Sequence, residues 1–229
     1  MKILAIDTAT ECCSAALLVD SEILSRETET ERQHAELILP MVDELLSQAS
    51  IRLTDLNAIA FGRGPGGFTG VRLATSVAQG LAFGANLPVV PVSDLRALAQ
   101  RVLEDEPQSE RVLVCNDARM KEVYWACFER GPAHLAETMG QERVSPPADV
   151  HLPAHWRAPV YAAGRGLRAY PEIRTRLGSE LVSIHDGLLP RAREIAVLAV
   201  AEVEAGRCVS PQDAVPVYLR DDVARPQRP

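Results

Sequence analysis

Apolar positions along the chain fall into two kinds of run. Short stretches dense in valine, isoleucine, leucine and alanine predict strands over residues 2–7, 14–19, 22–28, 58–61 and 89–92, the second and third joined by a tight turn at Asp20 and Ser21. Between them, apolar residues at helical spacing predict helices over 33–49 and 69–85, and a third that runs from Ser93, whose hydroxyl can cap it, to about residue 103. An acidic stretch containing Pro107, residues 104–110, reads as a linker. Beyond it the pattern starts again, with strands over 111–116, 123–129 and 134–144 and a proline-rich connection over 145–159. A strand over 160–163, a helix near 167–177, a strand over 181–185 and a helix over 191–204 stopped by Gly206 complete it.

The same element order thus occurs twice, and the residues echo it. Ala58 to Gly64 reappear in kind as Val160 to Gly166, each a short strand ending in Gly-Arg-Gly, and Leu4 to Ala9 resemble Val114 to Ala118, with Asp7 against Asp117. An offset of about a hundred residues is too long for a solenoid repeat and points to two related halves. Three strands, then helix, strand, helix, strand, helix is the order of the ribonuclease H-like unit. The predicted fold class is therefore α/β, two ribonuclease H-like domains in tandem with an actin-like (ASKHA) architecture. The expected domains are 1–106, carrying the partner-binding helices, and 107–229, with the final helix and tail packing back on the first domain.

Composition narrows the function. The chain of 229 residues is 47% hydrophobic, enough for two cores. No apolar run reaches membrane-spanning length and Met1-Lys2 leads directly into a strand, so no membrane association and a cytoplasmic location are expected. Cys12, Cys13, Cys115, Cys127 and Cys208 form no C-x-x-C pair and read as reduced and structural. Residues 1–108 hold 8 basic and 15 acidic residues, 109–229 hold 16 of each, and Lys2 and Lys121 are the only lysines. A protein that grips nucleic acid by itself would show the opposite footprint, so tRNA or DNA binding by this chain alone is disfavoured.

The residues with most chemical content lie in Gly62-Arg63-Gly64-Pro65-Gly66-Gly67-Phe68-Thr69-Gly70-Val71-Arg72, a glycine-rich link from strand to helix. The spacing nearly reproduces a phosphate-binding P-loop, but Phe68 stands where the lysine must be, which excludes an ordinary P-loop NTPase. Gly64, Gly66, Gly67 and Gly70 are expected to permit a special backbone conformation, with positive φ where a Cβ would be costly, that carries Phe68 and Arg72 to the start of the helix. In the actin-like fold the hairpin after each first strand cradles phosphate. Here Asp7-Thr8-Ala9-Thr10 has alanine where that turn usually has glycine, and Asp117-Ala118-Arg119-Met120-Lys121 has no glycine. Asp7, Thr8, Thr10 and Asp117 remain the candidate nucleotide contacts. No metal site is expected: His151 and His155 are separated by Pro153, which prevents the helical turn that would align them. His34, with no nucleophile or carboxylate pair organised around it, reads as a helix-start or interface residue, and no catalytic residue is assigned.

Partner binding is written in the helix faces. In 33–49 the residues Ala35, Ile38, Leu39, Val42, Leu45, Leu46 and Ala49 read as the core stripe, leaving Leu37 and Met41 beyond what one core needs. In 69–85, Leu73, Ser76, Val77, Gly80 and Gly84 let another helix approach closely. With His34, Phe68 and Arg72 they form the candidate interface, a four-helix contact with a like-folded partner.

Five segments together resemble the TsaB (YeaZ) family. They are Ile6-Asp7-Thr8-Ala9-Thr10, Gln33-His34-Ala35-Glu36, Gly64-Pro65-Gly66-Gly67-Phe68-Thr69-Gly70-Val71-Arg72, Asp117-Ala118-Arg119 with Glu122-Val123-Tyr124, and Pro216-Val217-Tyr218-Leu219-Arg220. The resemblance implies a required, noncatalytic subunit of the bacterial machinery that installs threonylcarbamoyladenosine beside the anticodon of ANN-decoding tRNAs. TsaD would be its catalytic partner in a heterodimer, the P-loop ATPase TsaE a further member, and a homodimer its state when alone. Contact with tRNA would come only through the complex, there would be no intrinsic cofactor, and any ATP or ADP would sit at the boundary with the partner. TsaD holds a metal through a His-x-x-x-His pair, and the corresponding Val92-Ser93-Asp94-Leu95-Arg96-Ala97-Leu98 contains no histidine. A small-molecule kinase of the same fold is the alternative reading and a metalloprotease a distant one. Intact Asp-x-Gly loops with a catalytic acid would mark the first and a paired-histidine motif the second.

Overall fold

The computed structural model describes residues 1–157 and 159–220. The first half forms β1 (Lys2–Asp7), β2 (Cys12–Val19), β3 (Glu22–Glu29), α1 (His34–Ala49), β4 (Ala58–Gly62), α2 (Phe68–Ala85), β5 (Val89–Val92) and α3 (Asp94–Asp105). The second forms β6 (Arg111–Asp117), β7 (Val123–Arg130), β8 (Ala136–Thr138), β9 (Arg143–Ser145), β10 (Val160–Ala163), α4 (Gly166–Ala169), α5 (Pro171–Leu177), β11 (Leu181–His185) and α6 (Ala192–Glu204). The sheets run β3-β2-β1-β4-β5 and β8-β7-β6-β10-β11, the same path in each half, with β9 also paired to β7. In each sheet the first strands pair antiparallel and the last two join in parallel, because a helix must cross between parallel neighbours.

Two departures from the sequence reading have local causes. The strand expected over 134–144 is broken into β8 and β9 around Gly140, whose φ of 92° turns the chain out of the ladder. The helix expected over 167–177 is cut at Tyr170, since Pro171 drives the residue before it to an extended conformation.

The central strands are buried on both faces, and their side chains differ by face. Leu4, Ile6, Ile59 and Phe61 point into the layer under α1 and α2. Ile3, Ala5, Ala58 and Ala60 point the other way, and the small ones let α6 approach with Ala192, Ile195, Ala196 and Ala199. α6 comes from the second half yet packs on the first sheet. Conversely α3 comes from the first half but lays Leu95, Leu98, Val102 and Leu103 on Val112, Val114, Ala126 and Phe128 of the second sheet. The boundary near residue 106 therefore separates the two sheets but not the two cores. Each sheet needs a helix from the other half to cover its inner face.

α1 corrects the expected stripe. Ile38, Met41, Val42 and Leu45 face the sheet and Met41 is only 8% exposed, so Met41 belongs to the core and is not a partner contact. Ala35 and Leu39, read as core, lie at the surface instead, with Leu39 49% exposed. Apolar residues occupy so many positions of this helix that two stripes satisfy the 3.6-residue period, and contact with β2 selects the one containing Met41.

Candidate partner-binding loop and interlobe cleft

The glycine-rich loop leaves β4 at Gly62 and enters α2 at Phe68 with its backbone seated on the turn after β1. Gly67 N–H donates to Ala9 O at 2.7 Å, and Thr8 Oγ1 donates to Gly70 O at 2.7 Å. The reason for the glycines is corrected here: of the four, only Gly64 has positive φ, at 98°. At Gly66 and Gly70 φ is ordinary, but a Cβ would run into the carbonyls of Ala9 and Thr8, so close backbone approach requires glycine there. A Cβ at Gly67 would reach only ordinary contact, 3.5 Å from Ala9 O, so that position needs no glycine on steric grounds.

At the mouth of the loop Phe68 is 56% exposed and Tyr218 44% exposed. The Arg72 guanidinium lies 3.2 Å from the Phe68 ring centroid and 5.0 Å from that of Tyr218, a cation stacked on the first ring and within reach of the second. The tail supplies Tyr218. Gln79 donates to Ala214 O, Val217 N–H donates to Arg63 O at 2.8 Å, and Arg220 donates to Glu122 and to Ala118 O in the second half. Motif residues about 150 positions apart in the chain thus meet at one surface.

His34 opens α1, half-buried, and its Nε2 donates to Thr10 O at 2.8 Å, tying the helix start to the same turn. Leu37, Leu73 and Val77 are half-buried, Leu37 and Val77 against the outer core. Ser76 and Gly80 are exposed, and a Cβ at Gly80 or Gly84 would meet nothing within 4 Å. Phe83 extends that open face.

Between the halves lies a cleft of about 850 Å³, lined by Thr8, Thr10, Glu11, Asp117, Arg119 and Arg165 among others. Arg119–Glu11 at 3.2 Å and Arg165–Glu29 at 2.6 Å bridge it. Exposed pairs of this kind contribute roughly 0–1 kcal/mol each, so they bias the cleft without locking it. Asp7 is corrected as a nucleotide contact: it is fully buried behind the turn, away from the cleft, with Oδ1 accepting Ala9 N–H at 2.8 Å. Asp117 does reach the cleft, where it accepts from Arg119 N–H and Tyr170 Oη. The two aspartates that match in sequence therefore sit in unlike surroundings. Among the described residues no group of three or more His, Cys, Asp or Glu is placed to hold a metal ion.

The second hairpin carries strain. Arg119, Met120 and Lys121 are consecutive left-handed residues with φ of 60°, 54° and 63°. A Cβ in that region costs about 1–2 kcal/mol per residue, part of which glycine's larger unfolded-state freedom returns. Replacing exposed Lys121 by glycine is expected to raise stability by roughly 0.5–1 kcal/mol, read from the denaturant midpoint.

One residue beside the loop was missed. Asp94 follows the Ser93 cap, whose Oγ accepts Arg96 N–H, and reads in the sequence as an ordinary acidic first-turn residue. In the fold it is fully buried, and its Oδ2 accepts Gly64 N–H at 2.5 Å.

Two mixed sheets on one strand path, sharing their covering helices around a cleft, define a protein of the tandem actin-like class. A family model described as TsaD: tRNA N6-adenosine threonylcarbamoyltransferase matches residues 20–225. The chain is 41% identical to the tRNA threonylcarbamoyladenosine biosynthesis protein TsaB of Escherichia coli, over 98% of this chain and 96% of that one. It is 37% identical to the protein of the same name from Haemophilus influenzae, over 97% and 95%. The solved structure of YeaZ from Pseudomonas aeruginosa superposes with a TM-score of 0.88 at 43% identity, covering 95% of this chain and 99% of that one. The chain belongs to the TsaB (YeaZ) family of tRNA threonylcarbamoyladenosine biosynthesis. No helix among the described residues is long and apolar enough to cross a membrane.

Proposed function

We propose that the chain is a noncatalytic subunit of the enzyme system that forms threonylcarbamoyladenosine in tRNA, acting by pairing with a TsaD-type catalytic subunit. The observation that carries this reading is the state of the turn after β1. Where a phosphate-binding hairpin offers free amides, Ala9 N–H is bound to Asp7, Ala9 O is bound to Gly67 N–H, and the alanine Cβ lies against Gly66. The glycine-rich loop is seated on the carbonyl of that turn, and the opposite hairpin has no glycine to let an anion close. What remains exposed is a face for protein: Leu39 on α1, Ser76, Gly80 and Phe83 on α2, and the Phe68–Arg72–Tyr218 cluster at its start. Aromatic and arginine side chains grouped in this way are the usual anchors of an interface.

In this reading the same face forms a homodimer when the chain is alone and is taken over by the TsaD-type subunit in the complex. A TsaE-type ATPase joins the assembly, tRNA is met only there, and any ATP or ADP sits at the subunit boundary. The isolated chain is expected to show background rates with ATP and candidate phosphoryl acceptors or peptides in steady-state assays. Robust turnover that disappears in Asp117→Asn, a change at the aspartate lining the cleft, would overturn the noncatalytic assignment.

A further inference from the structure

A pair of buried acids lies directly beneath the loop. Asp7 ends β1 and Asp94 opens α3, both fully buried, and each gives one oxygen to a backbone amide: Asp7 Oδ1 to Ala9 N–H, Asp94 Oδ2 to Gly64 N–H. The remaining oxygens, Asp7 Oδ2 and Asp94 Oδ1, are buried and receive no donor, and the two carboxyls lie side by side against Gly62. A carboxylate oxygen cannot donate, so the two acids can satisfy each other only if one of them keeps its proton. Gly62 is part of the arrangement, since a Cβ there would run into Asp94 Oδ1 and lie 2.8 Å from Asp7 Oδ1.

The groups that face the pair do not neutralise it. From α6 comes Glu194, another buried acid, whose carboxylate is paired with Arg191. From β2 comes the Cys12 thiol, which burial pushes up to about 12 and keeps neutral. Arg63 acts on Asp94 from the loop, but its guanidinium is paired with Glu142. Two full negative charges in contact here would have no cation of their own, which is the condition under which paired carboxyls share one proton. We propose that Asp94 is the positioning residue of the 64–70 loop: it shares a single proton with Asp7, and this acid pair latches the loop onto the turn after β1 and so sets where α2 starts. The latch concerns the loop itself and holds whether or not the loop meets a partner. Burial first, and then the neighbouring Asp7 charge, raise Asp94 well above the usual carboxylate range, and burial raises Asp7 to about 6.

The sign of the pH effect follows. A group whose folded pKa is raised binds its proton more tightly in the folded state, so its stabilisation is complete below the unfolded carboxylate value of about 4 and is lost as pH rises above it. One retained proton makes the folding constant fall about tenfold per pH unit in that window.

Asp94→Asn preserves the geometry without the proton, because its amide can donate to Asp7 and its oxygen can accept from Gly64. The stability of this variant relative to the native chain should therefore climb about tenfold per pH unit above pH ~4 until the native pair ionises. Asp94→Ala should shift the amide signals of Gly64 and Phe68, and Asp94→Asn should restore them. Carboxyl 13C titration of the unmodified chain needs no variant and should show one of the two aspartates keeping its proton well above the ordinary carboxylate range. The proposal is overturned if both carboxyls titrate as ordinary aspartates below pH ~5, if the relative stability of Asp94→Asn is flat with pH, or if both carboxyl signals move only on adding Mg2+, which would make the pair a cation site.

Discussion

Replacing Gly66 and Gly70 by valine is expected to abolish threonylcarbamoyladenosine formation in a reaction reconstituted with tRNA, threonine, bicarbonate and ATP. The Cβ at either position meets the carbonyl of Ala9 or Thr8, and those carbonyls belong to the turn that β1 and the Asp7–Ala9 hydrogen bond hold in place. Overpacking against a fixed wall costs about 1–3 kcal/mol, a fraction of the stability available to a two-core protein. The chain should stay folded while the start of α2 swings away. Phe68 and Arg72 move with it and the contact with Tyr218 is lost, so affinity for the TsaD-type partner should fall at least a hundredfold by calorimetry. Normal modification by a folded double variant would reduce the loop to a simple turn.

The second large effect should dissociate association from stability in opposite directions. Gly80 lies on the open face of α2, where a Cβ would have no neighbour within 4 Å, and Ser76 is exposed one turn earlier. Arginine at both positions removes a helical glycine, which should stabilise the monomer by up to about 1 kcal/mol. The same change places two bulky cations on the face proposed to receive a partner helix. Both the homodimer and the pairing with the TsaD-type subunit should be lost, while the thermal midpoint compared at concentrations where the native chain is also monomeric holds or rises. An unchanged dimer in sedimentation velocity would move the interface elsewhere.

Much of the fold was legible because strand residues here are apolar enough to stand out. Leu4 to Ile6, Ala58 to Phe61 and Val112 to Cys115 are core on both faces and read as strands without ambiguity. The duplication was legible for the same reason. Which face of α1 is buried was not, because Leu37, Leu39, Met41 and Leu46 make the helix apolar nearly all round and only the sheet beneath decides. Nor was the exchange of α3 and α6 between sheets: a helix pattern states that a face is buried, not which sheet buries it. The glycines of the loop were visible, but the physical reason for Gly66 and Gly70 is a backbone distant in sequence. Asp94 could not have been found at all, since an aspartate behind a serine cap looks like dipole compensation, and its burial follows from the Gly64 turn meeting the first turn of α3.

The most direct measurement takes this chain and the TsaD-type protein of its own cell, alone and together. Sedimentation equilibrium reports their association, and nucleoside analysis of the product tRNA reports threonylcarbamoyladenosine. The expected result is a heterodimer that replaces the homodimer, and modification only when both chains are present. Full modification by the TsaD-type protein without this chain, or modification that needs this chain though the two never associate, would contradict a role exercised through pairing.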